Sequence, residues 1–364
     1  MNKTQTNLYN GLMEAVNTSS MFYYRDEVSP VGTKFRIFHY HYIDERMFNK
    51  VTRNARGIMF EMQDETPVRI ACRPFIKFDN YSQDKHDELI QAYMTLKVDG
   101  SIMSTYLDKG QLRLKSNSSI MSDVAVSANS MLLDIKHSKL AVRLKELQND
   151  GYTVVLEYTG PKDRIVIEYQ EKNLTVLAVI QNTSGKEISW HEINKDPVLR
   201  MYLVEAFDPK DIKEIISERG IEGYVIHCAD GTRLKVKTEW YNIRHKAMFL
   251  TENDNALFKA IVSNETDDIK QMVSKSRREI IEQKEQLYIN FLNKCIVECN
   301  TLYQRYKGLE RAKFSSIIMT QGSYLFIHSI LMKCYSNGID QQMIVSELGK
   351  YFLKHKDSIC RGLI

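Results

Sequence analysis

The chain has 364 residues, 43% hydrophobic and 26% charged, with a formal net charge of +4. That is ordinary globular composition, long enough to bury sizeable cores in two domains without a disulfide staple. Apolar runs such as Val176–Ile180 are strand-length, far short of the roughly 20 residues a membrane helix needs, so a membrane protein is excluded. The opening stretch, MNKTQTNLYNGLMEAV, has no apolar core of a secretory signal, and a soluble cytoplasmic protein is expected. Cys72, Cys228, Cys295, Cys299, Cys334 and Cys360 form no C-x-x-C pair. Cys295 and Cys299 share a helical face with no His or further Cys nearby, so all six are expected to be reduced thiols rather than zinc ligands.

Up to about residue 243 the pattern favours sheet. Strands are predicted at Phe35–Tyr42, Ala55–Glu61, Ile102–Leu107, Gln111–Lys115, Thr153–Tyr158, Leu174–Gln181, Gly223–Cys228 and Arg233–Lys237. Asp108-Lys109-Gly110 and Asp230-Gly231 separate consecutive runs at hairpin spacing. Helical patterns lie between them, around Ser122–Asn149 and Asp208–Arg219. Hairpin-linked strands interspersed with helices predict an α+β domain on antiparallel sheet. From about residue 251 apolar residues recur at three- and four-residue steps from Ile280 to Tyr303, then through Phe314–Tyr335 and Gln341–Phe352. An all-helical second domain is expected, giving domains 1–250 and 251–364. Residues 251–364 hold three of the four excess positive charges, which permits a polyanion partner without demanding one.

The chemistry begins at Lys97-Val98-Asp99-Gly100-Ser101. Lys-x-Asp-Gly is an ordinary turn if it stands alone. It is also where a nucleophilic lysine could sit at the lip of a nucleotide pocket, provided neighbouring cations or burial weaken its hold on the proton. Such a site needs cations for phosphate and carboxylates for metal and ribose. Arg233-Leu234-Lys235-Val236-Lys237 alternates, so Lys235 and Lys237 share one face, roughly 7 Å apart along the strand. Glu222-Gly223-Tyr224-Val225 opens the partner strand. Glu157 ends an otherwise apolar run, where a buried carboxylate needs a partner. Each of these has a plain reading as an edge strand or a solvated strand end; their order along the chain argues for chemistry.

Lys97-x-Asp99-Gly100, Glu157, Glu222-Gly223 and Lys235-x-Lys237, in that order, resemble the motif set of the covalent nucleotidyltransferases. Arg56-Gly57-Ile58-Met59-Phe60-Glu61, Pro67–Ala71, Arg73-Pro74, Lys77-Phe78, Ser104–Leu107, Arg143–Leu147, Arg164-Ile165-Val166 and Ile221–Val225 narrow this. Together they resemble the phage RNA ligase 1 family, the tRNA-repair ligases of T-even bacteriophages. The likeness runs from near the N-terminus to about Tyr241 and continues more faintly through Leu257-Phe258-Lys259 and Asp267–Lys270.

The resemblance implies an antiparallel-sheet, ATP-grasp-like nucleotidyltransferase domain followed by the all-α domain. It implies that Lys97 carries the adenylate and that Tyr40, Arg56, Lys77 and Phe78 line the ATP site. Glu157 falls near the ribose, Glu222 is linked to metal-assisted steps, and Lys235 and Lys237 lie on the phosphates. Tyr241 matches an aromatic needed for ligation and Asp267 a metal-associated carboxylate. ATP and Mg²⁺ or Mn²⁺ are the implied cofactors. The implied partner is RNA, a tRNA with a nicked anticodon loop, with no membrane or stable protein partner, in a bacterial host's cytoplasm. One departure stands out: Lys115-Ser116-Asn117-Ser118 occupies a place where the family carries Lys-Ser-Lys-Gly, which puts one implied phosphate contact in doubt at Asn117 and leaves the reaction class untouched. In the helical domain Tyr303, Arg305, Tyr306, Lys307, Arg311 and Lys313 interleave aromatic and basic side chains, as an RNA surface would. The rival readings are a DNA ligase or capping guanylyltransferase, which would place an all-β OB module after the Lys-x-Lys strand, and a tRNA-binding module without chemistry.

Overall fold

Alternation along the strands decides which side chains face the core and which are left for chemistry. The computed structural model describes all residues except 42–44, 83–85, 87, 162–164, 324, 363 and 364. Met1–Asn242 and Ile243–Ile364 form two compact units.

In the first unit, helix Lys3–Thr18 is closed by a capping box between Asn2 and Gln5. It is followed by β1 (Phe22–Val28), β2 (Lys34–Tyr40), β3 (Met59–Gln63) and β4 (Thr66–Cys72), which pair in sequence order as an antiparallel sheet. The chain continues through β5 (Asp79–Asn80), β6 (Gln91–Leu96), β7 (Ser101–Asp108), β8 (Gln111–Ser116), β9 (Tyr152–Thr159) and β10 (Asn173–Gln181). It ends with β11 (Ala206–Phe207), β12 (Gly223–Cys228) and β13 (Arg233–Lys237). A second sheet has the order β10-β9-β7-β8 and a third the order β11-β6-β12-β13-β5, antiparallel except where β13 meets β5.

These two sheets hold the site. On β9, Leu156 and Tyr158 face the helices Asp123–Leu132 and Ser138–Asn149, where they bury with Ala128, Leu140 and Leu144. The period of two therefore turns Val155 and Glu157 to the opposite face, where Val155 packs with Phe75, Ala178 and Ile180. On the five-stranded sheet, Met94, Tyr224, Ile226, Leu234 and Val236 bury against Ile215. Thr95, Val225, His227, Lys235 and Lys237 are left on the other face.

The second unit is helical. Helix Glu239–Glu252 begins in the first unit, so the division falls before the change of pattern near residue 251. Asp254–Val262, Asp267–Met272, Lys275–Tyr306, Arg311–Gln321, Leu325–Asn337 and Gln341–Cys360 follow. Cys295, Cys299, Phe314, Ile318, Ile327, Leu331, Cys334, Ile344 and Leu348 form its core. All six cysteines are free thiols. Among the described residues no helix is long and apolar enough to cross a membrane.

Several boundaries differ from expectation, for local reasons. The run at Ala55–Glu61 becomes strand only at Met59, because Gly57 turns the chain at φ +88°. A Cβ there would sit 2.6 Å from the Asn117 carbonyl oxygen, so only glycine fits. Ser122–Asn149 is two helices: Asp134 accepts a hydrogen bond from Lys136 N and starts a new turn. Phe314–Tyr335 is likewise interrupted after Gln321. Of Asp208–Arg219 only Ile212–Ser217 is helical, capped by Asp211. Strands β1, β4 and β6 and the first helix lacked a clean signal. Tyr42, at the end of one predicted strand, and Arg164, in one family motif, lie outside the described residues.

Gly223 has φ +144°, and a Cβ there would run into the Val236 carbonyl of the paired strand. Gly223→Ala is expected to lower the urea midpoint by an amount equivalent to at least about 2 kcal/mol. Gly231→Ala provides the comparison, since its Cβ would meet open space. Equal losses at both positions would show that left-handed backbone, and not the close approach, matters.

Candidate active site

Lys97 follows β6 directly, and its amide donates to the Gly223 carbonyl at 2.9 Å, prolonging the ladder to β12. Its ammonium lies 2.8 Å from Glu222 Oε1. The Lys237 ammonium reaches the same oxygen at 2.9 Å, because Gly223 pairs with Lys237 across the β12–β13 hairpin. Glu222 is only 3% exposed. A carboxylate so buried requires neutralisation, and two lysines from strands on either side supply it. Lys235, opposite Val225, lines a pocket with Lys97, Arg56, Glu157, Phe75 and Phe78. Burial, followed by the charges of Arg56, Lys97, Lys237 and Lys77, pushes the Lys235 ammonium down to about 8.

Asp99 is the residue whose part the sequence did not reveal. It is 1% exposed. Its Oδ2 accepts from the amides of Val166 and Ile167, each at 2.8 Å. Its Oδ1 accepts the Tyr241 hydroxyl at 2.7 Å. Its own amide donates to Tyr169 Oη at 3.2 Å. Asp99 thus ties the Lys97 turn to a loop and to the start of the helix Glu239–Glu252. Beside it, a Cβ on Gly100 would collide with the Tyr158 carbonyl, so the glycine lets the turn lie against β9. That brings Glu157 to the pocket. Burial raises Glu157 to about 8, against the opposing pull of Lys97; Glu222 pushes in the same direction as burial.

The other expected residues are placed less uniformly. Arg56 is hydrogen-bonded to Tyr40, and burial lowers its pKa. Its guanidinium carbon is 5.7 Å from the centre of the Phe78 ring, which Lys235 Nζ approaches to 5.2 Å. Lys77 is engaged outside this pocket, 3.2 Å from Asp79 Oδ1 in an adjoining groove with Arg53 and Arg233. Tyr241 is 2% exposed, with Lys237 Nζ 4.8 Å from its ring centre. Asp267 belongs to the second unit, where its largely exposed carboxylate pairs with Lys270 at 2.9 Å. Tyr303 packs edge-on against Phe314 and Tyr306 donates to Gln321. The cations Arg305, Lys307, Arg311 and Lys313 are exposed. Phe75, Thr95, His227 and Arg233 also line the pocket; the two-residue step from Val225 to His227 and from Lys235 to Arg233 is the sequence signal that could have found the last two.

Among the described residues no cluster of three or more His, Cys, Asp or Glu side chains could hold a metal alone. Mg²⁺ needs only one or two carboxylates when substrate phosphates and water fill its other positions. The buried Glu222 carboxylate beside the pocket suits that kind of site.

The raised pKa of Glu157 has a consequence for stability. Below its ordinary value of 4.5 the group is protonated in folded and unfolded chains alike. Between 4.5 and about 8 the unfolded chain has released the proton and the folded chain keeps it, so stability falls as pH rises. Glu157→Gln should remove that fall, so the variant gains on the wild type in urea midpoint from about pH 5 to about pH 8. Parallel midpoint curves for the two proteins would refute a neutral buried Glu157.

Comparison with known proteins adds a family to this geometry. The chain is 26% identical over 240 residues to RNA ligase 1 of Bacteriophage TS2126, covering 60% of this chain and 57% of that protein. It is 26% identical over 237 residues to a provisionally named RNA ligase of Thermovibrio ammonificans, covering 60% of each. The match thus spans less than two thirds of either relative's length. An archaeal ATP-dependent RNA ligase structure aligns with a TM-score of 0.46 at 13% identity, over 94% of this chain and 95% of that one. Residues 250–360 match the family model described as the T4 RNA ligase 1 C-terminal domain. The RNA ligase family model matches residues 54–241, just over half of the chain, and the chain belongs to that family.

Proposed function

We propose that this chain is an ATP-dependent RNA ligase that joins 5′-phosphate and 3′-hydroxyl RNA ends through a lysyl-adenylate and an RNA-adenylate. The observation that carries the reading is the shared Glu222 carboxylate, which holds the ammonium groups of Lys97 and Lys237 at 2.8 and 2.9 Å at the mouth of a cation-lined pocket. Binding alone requires no such nucleophile.

ATP is a substrate in this scheme. The Lys97 ammonium first gives up a proton, and Glu222 is within hydrogen-bond reach to receive it. The free amine then bonds to the α-phosphorus while the bond to pyrophosphate breaks, and its second proton leaves with the pyrophosphate. Lys235, Lys237 and Arg56 offset charge on the phosphate oxygens and on the departing pyrophosphate. A 5′-phosphate oxygen of RNA then displaces Lys97 from phosphorus, giving the RNA-adenylate. Finally the 3′-hydroxyl oxygen attacks the 5′-phosphorus and AMP leaves. Mg²⁺ or Mn²⁺, held by the ATP phosphates with Glu222, would supply further neutralisation of phosphate charge. Glu157 serves the ribose. Tyr241 supports the ligation step by holding Asp99.

For the natural substrate we infer a tRNA broken in its anticodon loop, read by the helical unit. Single-stranded loops offer free ends and accessible bases. Arg305, Lys307, Arg311 and Lys313 are exposed on adjoining segments of that unit, which suits phosphate contacts.

Lys97→Ala should abolish covalent labelling by α-labelled ATP and leave the melting temperature nearly unchanged, while sealing of a pre-adenylated RNA survives in part. Labelling of the variant at the wild-type rate would remove Lys97 from the reaction. Replacing Arg305, Lys307, Arg311 and Lys313 together by Gln should weaken sealing of nicked tRNA about tenfold relative to a linear RNA of equal length, about 1.4 kcal/mol of binding. An unchanged ratio at matched salt would exclude these cations from tRNA selection.

A further inference from the structure

A second cavity, of about 290 Å³, adjoins the pocket beside Lys97 and shares Leu96, Val98 and Val204 with it. Its polar side continues the sheet face that carries Glu157. Thr159 follows Glu157 by two residues on β9 and so turns the same way, roughly 7 Å further along the strand. On β10, Thr175 pairs with Glu157 and Asn173 with Thr159, which puts both on that face. All three line the cavity. Residues 201–205 form another wall. Hydrogen bonds from Val176 N to the Tyr202 carbonyl (2.7 Å) and from Val204 N to the Val176 carbonyl (2.9 Å) tie them to β10. Leu96 N donates to the Glu205 carbonyl at 3.0 Å and ties them to β6. The cavity thus lies where the sheets of β9 and β6 come together, next to Lys97. Tyr169 also lines it, and its Oη accepts the Asp99 amide at 3.2 Å, so the phenol's own proton is left to donate. Burial, first among the causes, pushes that phenol up to about 12, so it keeps the proton near pH 7. Among the described residues the lining holds one carboxylate, Glu205, and no Lys, Arg or His.

The ligation scheme brings three partners to Lys97: ATP, a 5′-phosphate end and a 3′-hydroxyl end. The first two present phosphate groups, which call for cations. A cavity with a carboxylate, hydroxyls and an amide but no cation disfavours them and suits a neutral group rich in hydroxyls. We propose that this cavity holds the terminal nucleoside of the RNA strand that supplies the 3′-hydroxyl, with the Glu205 carboxylate accepting from its ribose hydroxyls. The assignment rests on the ligase reading above. A carboxylate only accepts, a ribose hydroxyl can donate to it, and Tyr169 and Asn173 supply donors for oxygens of the same nucleoside. Leu96, Val98 and Val204 offer apolar surface for a base to cover. The shared wall sets this nucleoside beside the nucleotide, so the attacking hydroxyl and the 5′-phosphorus are brought together at Lys97. A strand ending in a 3′-phosphate would instead set its charge against Glu205 with no cation to offset it, which excludes ends that have no hydroxyl to seal.

The test varies the acceptor strand while the full chain seals a pre-adenylated RNA, with melting temperature reporting the fold. Glu205→Ala should raise KM for the acceptor about tenfold and move kcat and the KM of the pre-adenylated strand little. Glu205→Gln, which keeps one acceptor oxygen, should recover part of that loss. Asn173→Ala should raise the acceptor KM about threefold. A competing strand that ends in a 3′-phosphate should inhibit the wild type poorly. Glu205→Lys should tighten that inhibition about tenfold while loosening the 3′-hydroxyl strand. A purely structural role would raise the KM of both RNA partners together and leave the 3′-phosphate strand excluded. A folded Glu205→Ala protein with the wild-type acceptor KM, or a Glu205→Lys protein that treats both strand ends as the wild type does, would overturn the assignment. A wild-type chain that seals no pre-adenylated RNA overturns the ligase reading, and this assignment with it.

Discussion

A single buried carboxylate organises the centre of the first unit. Glu222 cannot carry its charge at 3% exposure without partners. The two ammonium groups within 3 Å of it come from residues 97 and 237, far apart in sequence. They meet because β6 and β13 flank β12 in the five-stranded sheet. The strand order is therefore a precondition of the chemistry proposed for Lys97. In return, the paired charges keep Lys97 from swinging free into solvent. Removing either lysine would leave the other to neutralise Glu222 alone, whereas losing Glu222 would leave two ammonium groups facing each other.

Asp99 and Gly100 do the corresponding work between the sheets. The Asp99 carboxylate accepts hydrogen bonds from two amides and a phenol. It is thus an anchor that fixes the turn after Lys97, and Tyr241 owes its deep burial to that anchor. Gly100 admits the close approach to β9 that puts Glu157 across from Lys97. Glu157 and Lys235 then sit in one pocket with opposite departures from their ordinary ionisation, both driven first by burial. Dry surroundings disfavour whichever form carries charge, so under the proposed function a nucleotide would meet a pocket whose electrostatics are set before binding.

The departure at Asn117 also acquires a physical setting. Lys115, the basic residue that remains in that stretch, is wholly buried, and its ammonium donates to the carbonyls of Ser116 and Asn117 at 2.7 and 3.3 Å. The Asn117 carbonyl in turn is the wall against which Gly57 turns. Lys115 therefore braces the turn next to Arg56 from inside the fold, and the cations lining the pocket are Arg56, Lys97, Arg233 and Lys235.

Local pattern determined much of this protein. The Asp-Lys-Gly and Asp-Gly turns, the alternation of Arg233–Lys237 and the three- and four-residue periodicity after residue 280 were legible because each depends on neighbours in the chain. The order of Lys97, Glu157, Glu222, Lys235 and Lys237 likewise exposed a candidate chemistry before any coordinates. Strand boundaries at Gly57, the break at Asp134 and strand β6 were not legible, since each is decided by a partner remote in sequence or by a cap competing with helix. Only the tertiary structure decided that Glu222 is shared by two lysines, that Asp99 is an anchor, that Lys77 is held by Asp79, and that Thr95 and His227 share a pocket with Lys97. Those are pairings across strands and between sheets. A one-dimensional pattern specifies which face a side chain occupies, but burial and the choice of partner arise when separate faces are brought together.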